Sequence, residues 1–298
     1  MTMTTAAPAT IEFSRVSIVL PAKNEAGGLQ LVIPALQQHC PGAEIIVVDD
    51  GSTDDTASLC SRLGARVVSH PYSKGNGAAI KSGARAASRD ILVFMDADGQ
   101  HKPEDVPRLL GRMSEGFDMV VGARSRASQA GAHRAAANGL YNVLASWMVD
   151  QRVDDLTSGF RAVKAELFRK FLYLLPNGFS YPTTITMSFF RAGYSVAYEP
   201  IVAPERIGKS HIRIGRDGLR FFIIIFKIGT LYSPLKLFVP ISFGFFVVGL
   251  SYYGYTFSNF GRFTNMSALL LITAILIFLI GLISEQISAL NFKDTSDD

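Results

Sequence analysis

Two short acidic runs, each closing an apolar stretch, hold the residues of this 298-residue sequence best suited to chemistry. Ile91-Leu-Val-Phe-Met-Asp96-Ala-Asp98-Gly-Gln100 ends in two carboxylates one residue apart, and Val47-Val-Asp49-Asp50-Gly-Ser-Thr-Asp54 repeats the pattern. Side chains at i and i+2 of an extended backbone point the same way. Asp96 and Asp98 can therefore offer oxygen ligands to a hard cation such as Mg2+ or Mn2+, which completes its shell with water and substrate phosphate. The same run also reads as a polar strand-to-loop turn, since Asp and Gly are ordinary turn residues. Asp50 is placed where an acid at a strand end accepts hydrogen bonds from ribose hydroxyls or a base edge, with Asp49 supporting the loop. Its alternative reading is a turn and helix cap at Asp50-Gly51-Ser52.

Strands and helices alternate around these runs. Val16–Leu20 reads as a first strand, followed by the loop Pro21-Ala-Lys-Asn-Glu25. Leu29, Val32, Ile33 and Leu36 recur at helical spacing, in a helix that Pro34 would kink. Further strands are expected at Glu44–Val48, Arg66–Ser69, Ile91–Met95 and Met119–Gly122. Ser52-Thr-Asp-Asp55 supplies an N-cap and acidic first turn for a helix reaching Leu63, and another helix covers Ala78–Ala87. This order predicts a mostly parallel, doubly wound sheet, whose ligands lie beyond the carboxyl ends of the strands. Ala123–Gly139, rich in Ala, Ser, Gly and Arg, reads as a mobile segment.

The last quarter has a different solvent. Leu237–Phe257 and Thr264–Ser284 are each 21 residues without a charge, and a helix of about 20 apolar residues spans a bilayer core. Arg213, Arg216, Arg220, Lys227 and Lys236 precede the first span, Lys293 follows the second, and only Arg262 lies between them. The positive-inside rule then puts both the N-terminal domain and the tail in the cytoplasm, at the inner membrane of a cell envelope. Met1–Thr10 has neither the basic start nor the apolar core of a signal peptide. Along Gly215–Ser233 and just before it, Arg213, Arg216, Arg220 and Lys227 fall within about 60° on a helical wheel. Phe221–Phe226 fills much of the remaining circumference, the pattern of a helix lying on a membrane. The net charge of +4 and pI near 9.0 therefore point to anionic lipid rather than nucleic acid. Cys40 and Cys60 form no metal-ligand pattern and are assigned no role.

The order and spacing of Pro21-Ala-Lys-Asn-Glu25, Asp49-Asp-Gly-Ser-Thr-Asp54, Lys74-Gly-Asn-Gly-Ala-Ala79 and Asp96-Ala-Asp98-Gly-Gln100 resemble family 2 glycosyltransferases of the GT-A fold. Asp155-Leu-Thr-Ser-Gly-Phe-Arg161 narrows the resemblance to the polyprenyl-phosphate glycosyltransferases, the dolichol-phosphate-mannose synthase group. It covers about Val16 to Lys236, and the two spans are similar to those of bacterial members that use undecaprenyl phosphate. The resemblance implies that Pro21, Ala22, Glu25 and Asp50 line a nucleoside pocket and that Asp96, Asp98 and Gln100 hold Mg2+ or Mn2+. His101 reads as a loop histidine rather than a ligand. Lys74 and the glycines after it would bring backbone close to the nucleotide or sugar; otherwise Lys74 is a solvent-exposed residue before a helix. The implied organisation is a leader (1–14), a GT-A domain (15–210), a juxtamembrane helix (211–234), a transmembrane hairpin (235–290) and a tail (291–298).

The implied reaction moves sugar from a UDP- or GDP-sugar to a polyprenyl phosphate, inverting the anomeric centre in one step. A phosphate monoester with a second pKa near 6 is mostly dianionic at neutral pH and needs little deprotonation to attack. The protein must then supply alignment and cations. Candidates are Arg124, Arg126, Arg134, Arg161, Lys209, His211 and Arg213. Arg124 and Arg134 are the expected acceptor-phosphate ligands, with Lys209, Ser210 and Arg213 supporting. Asp155 either orients the acceptor or sugar, serving as base if the phosphate arrives protonated, or anchors the turn Thr157-Ser-Gly159. A processive polysaccharide synthase would share the donor motifs, but a Gln-x-x-Arg-Trp motif is missing and Trp147 sits elsewhere. A nucleotidyltransferase would not need the spans, and a catalytically silent scaffold would not need Asp98 or Gln100. Two lone spans would gain from lateral packing in a homo-oligomer, for which the sequence shows no interface.

Overall fold

The computed structural model of the protein describes residues 11–97, 99, 101–124, 132–178, 180–202, 226–227 and 229–293, without the side chains of 132–138 and 291–293. The chain divides into two compact units, Met1–Ser146 with Gln151–Ser210, and Trp147–Asp150 with His211–Asp298.

The first unit is built on strands β1 (Val16–Ala22), β2 (Glu44–Asp49), β3 (Arg66–Ser69), β4 (Ile91–Phe94), β5 (Met119–Arg124), β6 (Arg161–Lys164) and β7 (Val196–Ile201). They form one sheet in the order β3-β2-β1-β4-β6-β5-β7. Only β6 runs against its neighbours, β4 and β5. The helices of this unit are α1 (Ala26–His39), α2 (Thr56–Arg62), α3 (Asn76–Ala86), α4 (Val106–Met113), α5 (Ala132–Val149), α6 (Ala165–Lys170) and α7 (Tyr181–Arg191). α5 ends in residues that belong to the second unit.

β1 and β4 are buried along their whole length, as strands covered on both faces must be. Alternate residues serve opposite faces. Ile18, Leu20 and Val93 pack with Leu29, Ile33 and Leu36 of α1 and Leu109 and Leu110 of α4. On the other face, α3 approaches so closely that a Cβ on Gly83 would collide with the Val19 and Val48 side chains. Phe168 of α6 lies against Phe94, with ring centroids 4.6 Å apart. Each large apolar side chain withdrawn from water contributes roughly 1.5–3 kcal/mol.

Two local expectations change, while α1, where a kink at Pro34 is expected, is one helix that contains Pro34. α2 begins at Thr56, not near Ser52, because the Ser52 N–H donates to Asp49 and the Asp54 carboxylate accepts from the Thr56 N–H and hydroxyl. The stretch read as mobile is not one segment: β5 runs into it as far as Arg124, and α5 starts at Ala132.

In the second unit, α8 (Pro234–Phe260) and α9 (Asn265–Lys293) are long and apolar enough to cross a membrane. They pack through small residues: a Cβ on Gly249 would stand 3.0 Å from Leu270, and Ser242 donates to the Ala274 carbonyl at 2.8 Å. Lys236, counted from sequence among the basic residues before the first span, caps the end of α5. Its ammonium donates to the carbonyls of Trp147 (3.0 Å) and Met148 (3.3 Å) and pairs with Asp150. A cation at a helix carboxyl end satisfies orphan carbonyls and the dipole together. Most of the expected interfacial helix lies outside the described residues.

Asp118 secures the far side of the sheet. Its carboxylate accepts from the Ser195 N–H (2.9 Å), the Ser195 hydroxyl (2.8 Å) and Lys164 (2.6 Å), joining β5, β6 and β7 at one end. Burial alone would raise its pKa, but these donors, Lys164 foremost, hold it below the ordinary carboxylate range. Its contribution to stability is present above that range and is lost as acid protonates it. Asp118→Asn should therefore lower the melting temperature at about pH 7, and the gap from wild type should shrink towards about pH 3 in thermal melts of the detergent-solubilised protein.

Candidate active site

Parallel pairing sets the site. In register, Ala22 of β1 faces Asp49 of β2, and Val19 of β1 faces Phe94 of β4. The carboxyl ends of three adjacent strands thus release Pro21, Ala22, Asp49, Asp50 and Asp96 along one edge. Pro21 and Ala22 are buried in β1 itself. The loop after them is stitched to the loop after β2. Asn24, at φ +56°, donates its N–H to Ser52 (2.9 Å), accepts from the Thr53 N–H (2.8 Å), and is followed by Glu25, whose N–H donates to Thr56 (3.2 Å).

Asp50 is buried, and each carboxylate oxygen accepts two hydrogen bonds. Oδ1 takes His70 Nδ1 (2.7 Å) and the Lys74 N–H (2.8 Å); Oδ2 takes the Ser73 hydroxyl (2.8 Å) and the Gly75 N–H (2.9 Å). Burial raises its pKa, yet the His70 hydrogen bond and the loop donors bring it down to about 2. A carboxylate has about four acceptor positions, and protein donors fill them. Asp50, expected beside the nucleoside, thus supports the loop Ser73–Gly75. Asp49, expected to support a loop, does so through the Ser52 N–H at 2.9 Å. Lys74 stands over the Tyr72 ring at 5.7 Å. Gly75, at φ +102°, adopts a conformation disfavoured for L side chains, and Gly77 leaves no room for a Cβ beside the carbonyls of Pro176 and Gly178.

Asp96 follows β4 with its side chain 37% exposed. Its N–H donates to His101 Nδ1 at 3.1 Å, which makes that nitrogen an acceptor and the ring the neutral Nε2–H tautomer. His101 is otherwise buried and stacked on Phe160, with centroids 5.0 Å apart. Across from Asp96 lies Gly159, where a Cβ would come within 3.1 Å of Oδ2 and 3.2 Å of the Tyr181 hydroxyl. The space beside this partly exposed carboxylate suits a hard cation with oxygen ligands. Asp98 and Gln100, the other expected ligands, lie outside the described residues, as do Arg126, Lys209, Ser210, His211 and Arg213. Arg134 is in α5, with its side chain outside the description.

The three remaining candidates meet three different fates. Arg124, ending β5, grips Asp155 in a fork, Nε to Oδ2 at 2.9 Å and Nη2 to Oδ1 at 3.1 Å, and donates to Thr157 at 2.6 Å. Burial disfavours the Arg124 charge, but Asp155, with a smaller contribution from Asp96, keeps its pKa raised. Asp155 is buried and also accepts from the Thr157 and Ser158 N–H groups, at 3.0 and 3.1 Å, so it anchors the turn. Burial would raise its pKa, and Arg124 above all pulls it down. Arg161 is fully buried and cannot meet an acceptor phosphate. It donates to the carbonyls of Ser158 and Pro182 (the latter at 3.2 Å) and to Thr186 (3.2 Å), with its guanidinium 5.7 Å from the Tyr181 ring centroid. Tyr181 in turn donates to the Gly159 carbonyl at 3.2 Å. His70 and Tyr181 escaped the sequence reading because neither belongs to a motif with a recognisable spacing, whereas Asn24 lies inside Pro21-Ala-Lys-Asn-Glu25 and was given no role of its own.

Residues 17–173 match the family described as glycosyl transferase family 2, and residues 233–290 match the GtrB C-terminal hairpin. The chain is 32% identical over 215 residues to polyprenol monophosphomannose synthase of Mycolicibacterium smegmatis, covering 67% of this chain and 81% of the relative. It is 28% identical over 202 residues to dolichyl-phosphate hexose transferase of Haloferax volcanii, covering 67% and 87%. The structure of glucosyl-3-phosphoglycerate synthase from Mycobacterium tuberculosis in complex with Mn2+ and UDP-glucose superposes with a TM-score of 0.58 at 27% identity, over 72% of this chain and 81% of that one. The sheet order, the acid-tipped strands and these matches agree: the chain belongs to glycosyl transferase family 2 and is a glycosyltransferase of the GT-A fold with a GtrB-type C-terminal hairpin.

Proposed function

We propose that this enzyme transfers a sugar from a UDP- or GDP-sugar to a polyprenyl phosphate, undecaprenyl phosphate in a bacterial membrane, releasing the nucleoside diphosphate. The reading rests on one observation above all: acid-tipped strands of a glycosyltransferase sheet share a chain with two helices long enough to span a bilayer. Relatives named for polyprenol and dolichyl-phosphate sugar transfer support it. The donor lies over the carboxyl ends of β1, β2 and β4, with Pro21, Ala22 and Glu25 beside the nucleoside and the loop at Lys74 beside the diphosphate or sugar. Asp96, Asp98 and Gln100 would hold Mg2+ or Mn2+. A divalent cation there supplies charge neutralisation for the departing diphosphate.

In the displacement, a phosphate oxygen of the acceptor forms the bond to the anomeric carbon while the bond from that carbon to the donor diphosphate breaks, inverting the centre. The acceptor is already ionised near neutral pH, so orientation matters more than proton removal. Asp155 acts through Arg124: the fork fixes the guanidinium plane at the end of β5, leaving its outer edge for acceptor phosphate. Arg134, Lys209, Ser210 and Arg213 complete the cationic approach. The basic residues before the first span support a site at the cytoplasmic face of the membrane.

Full-length protein with Mg2+ or Mn2+ and undecaprenyl phosphate should convert at least one member of a UDP- and GDP-sugar panel to a polyprenyl-monophosphate sugar, seen by mass spectrometry. Binding of the lipid phosphate with no donor consumed would overturn the reading. Asp98→Ala should reduce turnover by roughly 100-fold or more, the scale of losing a group that stabilises developing charge, while fractionation still recovers the protein in membranes. Asp155→Asn should raise the KM for lipid phosphate more than that for the donor; an equal rise in both would remove Asp155 from the acceptor side.

A further inference from the structure

His70 is a buried histidine just beyond β3, held by its own N–H to the Asp49 carbonyl at 2.8 Å. Its ring joins two elements: Nδ1 is 2.7 Å from Asp50 Oδ1, and Nε2 is 2.8 Å from the Ser82 hydroxyl on α3. An ionised carboxylate only accepts, and Asp50 is ionised down to about pH 2. Nδ1 therefore carries a proton towards Asp50, and Nε2 shares a hydrogen bond with the Ser82 hydroxyl. The Ser82–His70–Asp50 connectivity is that of a hydrolytic triad. Ser82, however, sits inside α3, where the neighbouring backbone N–H groups are committed to helical hydrogen bonds. Among the described residues no oxyanion donors converge on its hydroxyl, so the chain of bonds positions rather than reacts.

What it positions is the loop after β3. The remaining acceptor directions of Asp50 hold the Ser73 hydroxyl and the N–H groups of Lys74 and Gly75. From the opposite side, the Ala78 N–H donates to the Asn177 carbonyl (3.2 Å), and Lys81 to the Leu175 carbonyl (3.1 Å) and the Asn177 side chain (2.5 Å). The loop is clamped on both sides before any donor arrives, and such preorganisation lowers the ordering cost of binding.

We propose that His70 is a positioning residue for nucleoside-diphosphate-sugar binding. By fixing the Asp50 carboxylate, it presents the Ser73–Gly75 backbone to the donor ready-made, so that Asp50 serves the nucleotide through this loop rather than by direct contact. This rests on the donor reading of the loop given above. Removing the imidazole releases one of four bonds on Asp50 and loosens the other three.

Two measurements on the full-length protein test this. Without any nucleotide, amide hydrogen exchange at Lys74 and Gly75 should speed up about tenfold in His70→Ala, the scale of one charge-assisted hydrogen bond. His70→Asn, which retains an N–H donor, should recover part of that protection. With UDP or GDP and Mn2+, His70→Ala should raise the dissociation constant about tenfold, again partly restored in His70→Asn, while the KM for lipid phosphate stays near wild type. Unchanged exchange at Lys74 and Gly75 would overturn the role of His70, whatever the donor proves to be. Faster exchange with unchanged nucleotide affinity would break the link to the donor. Failure of the wild type to bind either nucleotide would instead sink the donor reading and leave the exchange result standing. If neither His70 variant folds, His70 is a core residue and the proposal falls.

Discussion

The carboxylate of Asp50 sits where three parts of the sheet must agree. Its own N–H donates to the Ala22 carbonyl of β1, its side chain accepts from His70 beyond β3, and its remaining bonds hold the entrance to α3. A charge this well buried is tolerable only because every acceptor position is filled. An uncompensated carboxylate here would push the strand ends apart and leave the loop before α3 without support. The left-handed Gly75, the clamp from residues 175–178 and the close approach of Gly83 to Val19 and Val48 all presuppose that α3 begins where Asp50 puts it.

A second polar assembly shapes the far half of the site by a different physical route. Among the described residues Arg161 is buried without a carboxylate in bonding contact and its Nε has no hydrogen-bond partner; carbonyl oxygens, a threonine hydroxyl and an aromatic face surround it. Burying such a cation is costly, and burial lowers its pKa accordingly. The result is a rigid connection from Ser158 to the start of α7. That connection sets Gly159 and Tyr181 against Asp96, while the Arg124–Asp155 fork closes the same turn from its other end. Two arginines of one sequence class therefore differ completely in use: one is a half-open fork at a strand end, the other an internal tie.

The helical hairpin obeys the rules of another solvent. Small residues at Gly249, Gly281 and Ser242 let α8 and α9 approach closely, as van der Waals packing requires where lipid removes the hydrophobic incentive. Large apolar side chains such as Phe243, Val248, Leu269 and Ile283 remain on the outside, which suits contact with acyl chains.

The amino-acid sequence by itself determined what local physics controls. The first five strand positions followed from apolar runs, their parallel arrangement from alternation with helices, the two long apolar helices from uncharged length, and the acids at strand ends from where those runs stop. β6 and β7, without a long apolar run, did not follow. Family motifs such as Asp155-Leu-Thr-Ser-Gly-Phe-Arg161 were legible because their spacing is short. Only the tertiary structure decided which partner each charged group would find. Asp50 meets His70, Lys74 and Gly75 at separations of 20, 24 and 25 residues, and Asp155 meets Arg124 across 31. Lys236 meets Asp150 across 86. Hydrogen bonding is directional and short-ranged, so a carboxylate's role depends on donors that chain folding delivers, and no local pattern encodes those distances. For the same reason Arg161 looked like a phosphate ligand and proved to be core, whereas His70 carried no signal until β3 set it beside Asp50.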